Sequence, residues 1–117
     1  MKKYLLLLLA LTLMITACSK KHKPPHASLT RDSIVLALGD SLTAGYGASA
    51  EDAYPAQLAQ LSGWHIINAG INGDTSGQAL QRLPQLLNEY KPQLVIISIG
   101  GNDFLQHLPE IETRAYL

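Results

Sequence analysis

A single cysteine stands among the 117 residues, so the chain cannot close a disulfide on itself. No group of cysteines and histidines has the spacing of a zinc site. With 15% charged and 47% apolar residues, the chain is too rich in core-forming side chains for a disordered tail. It also lacks the roughly 20 apolar residues that a helix needs to span a bilayer. The longest apolar run, residues 5–15, is broken only by Thr12. These gaps exclude disulfide scaffolds, zinc modules and disordered segments, and the length permits at most one compact domain.

Acidic residues are missing from the first part of the chain altogether. Residues 1–31 hold six bases and no acid, whereas residues 32–117 hold three bases against nine acids. The zero net charge therefore averages a basic leader and an acidic body. An acidic body argues against nucleic acid as the partner, because phosphate binding needs a basic face.

Lys2 and Lys3 before the short apolar run form the charged and hydrophobic regions of a secretory signal. The run ends at Ile15-Thr16-Ala17-Cys18, which resembles the lipobox of bacterial lipoproteins. That resemblance implies cleavage after residue 17 and lipidation of Cys18. Several acyl chains on one residue would anchor firmly, at ~0.8 kcal/mol per buried CH₂. Residues 19–28, Ser-Lys-Lys-His-Lys-Pro-Pro-His-Ala-Ser, read as a polar tether whose lysines favour anionic headgroups. His22 and His26 belong to this tether and read as solvated residues. The organisation expected is a signal peptide over 1–17, a lipidated Cys18 with its tether over 18–32, and a folded part over 33–117. The expected location is the bacterial envelope, lipid-anchored on the periplasmic face of the outer membrane. Ser19, rather than Asp, after the cysteine favours outer-membrane sorting by resemblance.

Three continuous apolar runs, 33–38, 64–68 and 93–99, each close on glycine. Runs that do not alternate fit strands buried on both faces, as in a parallel sheet. Helical spacing occupies about 53–61 and 76–90, where Leu80, Leu83, Leu86 and Leu87 recur on one face and Thr75 or Ser76 can cap the start. Pro84 leaves two options for the second stretch, one helix or two short ones with Pro84 in the first turn of the latter. A helical pattern resumes near Pro109. Alternating strands and helices predict a doubly wound α/β domain, whose sites form where loops leave the carboxyl ends of the strands.

The unusual residues stand at those ends. Gly39-Asp40-Ser41-Leu42 follows the first strand, Gly70-Ile71-Asn72-Gly73-Asp74-Thr75-Ser76-Gly77 the second, and Gly100-Gly101-Asn102-Asp103 the third. A serine between a buried strand and a helix exposes its hydroxyl, and its N–H lies among the helix's unpaired donors. Gly73 lets a second N–H approach, and the Asn102 amide supplies a third donor. Three donors around a serine suit the oxyanion of acyl transfer. Gly45-Tyr46-Gly47 lacks the third glycine of a dinucleotide fingerprint, and Thr43 breaks the Gly-x-Ser-x-Gly elbow of α/β-hydrolases.

These three blocks, Gly-Asp-Ser-Leu at 39–42, Gly73, and Gly-Gly-Asn-Asp at 100–103, resemble blocks I, II and III of the GDSL, or SGNH, hydrolases. The surrounding wording, Leu-Gly-Asp-Ser-Leu-Thr-Ala-Gly-Tyr-Gly, Asn-Ala-Gly-Ile-Asn-Gly-Asp-Thr-Ser-Gly and Arg-Leu-Pro-Gln-Leu-Leu, is similar to the arylesterase, acyl-CoA thioesterase I and lysophospholipase L1 subgroup. The resemblance covers about 34–108. It implies a flavodoxin-like, three-layer fold, with Ser41 as nucleophile and with Gly73, Asn102 and the Ser41 N–H as oxyanion hole. Asp40 is expected to fix its loop rather than attack. The implied substrates are small acyl esters, thioesters or lysophospholipids, no metal or organic cofactor is implied, and the complete protein is expected to be a monomer.

The same resemblance requires a late Asp-x-x-His that supplies the base and its orienting carboxylate, and no such spacing occurs here. His65 is expected at the far end of the sheet. His107, four residues after Asp103, could pair with it on a helical turn but does not stand where the family keeps its base. The expectation is therefore an N-terminal part of a serine ester or thioester hydrolase, truncated after the third strand and inactive by itself. A non-catalytic lipid-anchored lipoprotein, or an inactive gene remnant, is the alternative.

Overall fold

The computed structural model describes residues 28–117, so the signal, Cys18 and most of the tether lie outside the described residues. Three parallel strands, β1 (Ile34–Gly39), β2 (His65–Gly70) and β3 (Leu94–Ser98), form one sheet in the order β2-β1-β3. Helices α1 (Ser41–Ala44) and α2 (Tyr54–Ser62) lead from β1 to β2, and α3 (Ser76–Tyr90) leads from β2 to β3. Two short helices, α4 (Gly101–Leu105) and α5 (Glu110–Tyr116), follow β3. The strands run within one or two residues of the apolar runs, and the doubly wound α/β expectation holds.

With β1 central, the chain steps to one side for β2 and to the other for β3. Right-handed crossovers then place α2 and α3 on opposite faces. Side-chain alternation along β1 agrees. Leu38 faces Ala79, Leu80 and Leu83 of α3, whereas a Cβ on neighbouring Gly39 would strike Thr43 of α1. Being covered on both faces, β1 supplies the core: Val35, Leu36 and Ala37 are fully buried and Leu38 nearly so.

Pro84 does not split α3. The helix is continuous from Ser76 to Tyr90, with Pro84 exposed, so the missing amide and ring crowding fall on the solvent side. Its start is fixed by a capping box, in which the Thr75 hydroxyl accepts from Gln78 N and the Gln78 side chain accepts from Thr75 N at 2.9 Å.

Candidate active site

The register aligns Gly39 with Gly70 on one side and with Ser98 on the other, so all three strands end level. The three motif loops accordingly leave the same edge of the sheet, at the switch point where the strand order reverses.

Close packing at that edge explains the glycines. A Cβ at Gly39 would lie within 2.6 Å of the Ser98 carbonyl oxygen, and one at Gly70 within 2.6 Å of the Thr43 carbonyl carbon. α1 therefore sits directly on the ends of β1 and β2. Asn68 holds it there, donating from Nδ2 to the Thr43 carbonyl at 2.9 Å while its Oδ1 accepts from Gly70 N at 3.0 Å.

Ser41 opens α1. The preceding Asp40 is buried and caps the helix by accepting from Leu42 N at 3.0 Å, so its carboxylate fixes the loop as expected. Among the described residues no hydrogen bond engages the Ser41 hydroxyl, and its side chain is half-buried. Gly73 has φ +83°, with open space where a Cβ would stand, and no hydrogen bond among the described residues uses its N–H. Asn102 reaches across from the third loop, donating from Nδ2 to the Asp74 carbonyl at 2.8 Å. That bond takes one of its two amide hydrogens and leaves the other available. It also ties the third loop to the residue after Gly73.

Two further residues stand in the same polar layer: Arg82, which a reading of the sequence misses, and Asp103, whose partners it misses. Arg82, from α3, donates from Nε to Asp74 Oδ2 at 2.7 Å and from its terminal amine to the Gly39 carbonyl at 3.0 Å. Asp103 is 2% exposed; Oδ2 accepts from Ser76 N at 2.8 Å, and Oδ1 accepts from Ser76 Oγ and from Thr113 Oγ1 at 3.0 Å. Burial alone would push the Asp103 carboxyl up. The donors from Ser76 and Thr113, with its own backbone, outweigh burial and hold it below the ordinary value near 3.8.

The described histidines do not reach this layer as a base and its orienter. His65 starts β2, exposed, at the end of the sheet opposite Ser41. α4 ends at Leu105, so His107 stands beyond it with φ +55°, exposed, and the Asp103 oxygens are engaged by Ser76 and Thr113 instead. Helical pairing of Asp103 with His107 is absent. No group of three or more potential metal ligands occurs among the described residues. Two clefts, one apolar between α3, β3 and α5 and one between α4 and α5, are lined without Ser41.

Comparison with known proteins agrees with this arrangement. The model of the GDSL-like Lipase/Acylhydrolase family matches residues 37–117. Over 85 residues the chain is 46% identical to thioesterase 1/protease 1/lysophospholipase L1 of Escherichia coli K12, covering 71% of this chain and 41% of that protein. It is 45% identical over 80 residues to an arylesterase of Vibrio mimicus, covering 64% of this chain and 40% of the relative. The crystal structure of AlinE4, an SGNH-hydrolase family esterase, superposes with a TM-score of 0.68 at 40% identity, over 76% of this chain and 51% of that one. The chain thus spans about four-tenths of the length of the curated relatives it matches. The ordered blocks, the 2-1-3 parallel sheet and the family match over residues 37–117 together establish that this chain belongs to the GDSL-like lipase/acylhydrolase, or SGNH-hydrolase, family.

Proposed function

We propose that the chain supplies the nucleophile and the oxyanion donors of an ester or thioester hydrolase that works through an acyl-enzyme at Ser41. The observation that carries this reading is that, among the described residues, neither the Ser41 hydroxyl at the level edge of the sheet nor the Gly73 N–H in the neighbouring loop is engaged in a hydrogen bond. Ser41 Oγ attacks the acyl carbonyl carbon while its proton passes to a base. The bond to the leaving oxygen or sulfur then breaks, and the leaving group departs as alcohol or thiol. Water attacks the acyl-serine in turn, releasing a carboxylic acid and restoring the hydroxyl.

During both steps the carbonyl oxygen becomes an oxyanion. The Ser41 N–H, the Gly73 N–H and the second hydrogen of Asn102 Nδ2 donate to it. In such sites one donor is worth about 10²–10³ in rate. Among the described residues neither His65 nor His107 has an orienting carboxylate, so neither is assigned as the base. A thioesterase/lysophospholipase and an arylesterase among the relatives support acyl esters and thioesters as the substrate class. The leader and Cys18 support a lipid-anchored envelope protein.

The test is p-nitrophenyl acetate with the full chain. Release of about one nitrophenolate per chain is expected, slowly, with one acetyl group on Ser41 by mass spectrometry. Equal release by Ser41→Ala contradicts the reading.

A further inference from the structure

We propose that Arg82 is a positioning residue for the oxyanion donors, acting through Asp74 and Gly39; this rests on the assignment of Ser41 above. Arg82 lies within α3, 8 residues beyond Asp74 and 43 beyond Gly39. Its two acceptors belong to the loops that carry the chemistry rather than to the core. The Gly39 carbonyl stands two residues before Ser41 and already accepts from Ile71 N at 3.1 Å. With Arg82 on its other lone pair, the carbonyl is held from two directions, and so is the peptide plane leading into Asp40 and Ser41.

Asp74 directly follows Gly73, and its two ends do different work. Its carboxylate is held by Arg82, and its backbone carbonyl receives Asn102 Nδ2 at 2.8 Å. One guanidinium therefore links all three loops: the nucleophile's through Gly39, the Gly73 loop through Asp74, and the Asn102 loop through the Asp74 carbonyl. Arg82 and Asp74 are 20% and 9% exposed at their side chains, so the pair is largely shielded. The planar fork of arginine serves two acceptors at once, which a lysine ammonium does not match in geometry. A buried ion pair is weak evidence for stability, so rigid placement of donors accounts better for this one.

The experiment follows fluorophosphonate labelling of Ser41 in the full chain, with unchanged circular dichroism as the check on folding. Arg82→Lys and Arg82→Met should both label about 10- to 100-fold more slowly, the scale of a donor displaced by up to 1 Å. In Arg82→Ala, added methylguanidinium should recover part of the rate, which a merely structural role would not give. Amide spectra should show the Gly73 and Asn102 side-chain signals shifted in all three variants, with Val35 to Leu38 unmoved. Wild-type labelling rates in the Lys and Met variants, or a slowed but folded Ala variant that methylguanidinium does not restore, would overturn the proposal. Absence of label on wild-type Ser41 would instead remove the hydrolase reading, and the amide spectra would still decide whether Arg82 holds the two donors.

Discussion

The β1–α1 part of the domain and the β3–α4–α5 side are built differently. β1 is buried along nearly its whole length, and α1 packs on the glycines ending β1 and β2 so closely that no side chain fits between. β3 is only half-buried, Ile97 is 53% exposed, and α5 buries no residue. The site straddles the two sides. Ser41 belongs to the tightly packed part and Asn102 to the thin one, while Gly73 stands in an exposed loop. Close packing can hold Ser41, but the placement of Gly73 and Asn102 depends on polar ties: the Arg82–Asp74 pair, the Asn102 bond to Asp74 and the Asp103 bonds to Ser76 and Thr113.

Truncations measure that contrast most strongly. Leu36→Ala, in the fully buried middle of β1, should lower stability by about 2–5 kcal/mol in urea unfolding, whereas Ile97→Ala should cost under about 1 kcal/mol. Equal losses would erase the distinction between the two sides.

Asp103→Asn sharpens the polar half of the comparison. It should cost about 1–3 kcal/mol at neutral pH, because the buried donors of Ser76 and the half-buried hydroxyl of Thr113 lose a charged acceptor. The carboxyl is held below its ordinary value in the fold, so its contribution is complete above the unfolded value near 3.8 and is lost as pH falls below that toward the lower folded value. The difference in unfolding midpoint between wild type and Asp103→Asn should therefore be largest at pH 6–7 and shrink below about pH 4. A difference independent of pH would mean that the carboxylate charge is not what ties the helices.

The smallest effect belongs to the Arg114–Glu110 pair on α5, with both side chains about three-quarters exposed. Arg114→Ala should change stability by no more than about 0.5 kcal/mol, and 1 M salt should abolish even that.

Much of this architecture was legible in the sequence because its signals are local. Apolar runs containing β-branched residues and closing on glycine marked all three strands, and the leucine spacing with Thr75 marked α3 to its ends. Pro84 was ambiguous, since proline can either break a helix or stand in its first turn. The motif loops were legible by their order at successive strand ends. Arg82 was not, for its partners stand 8 and 43 residues away, across a strand and a turn. Helical spacing offered His107 as a partner for Asp103, but α4 stops after Leu105 and the carboxylate turns to a helix start 27 residues earlier. Ion pairs and buried carboxylates choose partners by tertiary proximity, which periodicity does not encode.

The most direct test of the account is a fluorophosphonate probe on the full chain, with the adduct located by peptide mass spectrometry. The account predicts a single adduct on Ser41, formed slowly and absent from Ser41→Ala. An adduct on another residue, or the same labelling in the alanine variant, would contradict it.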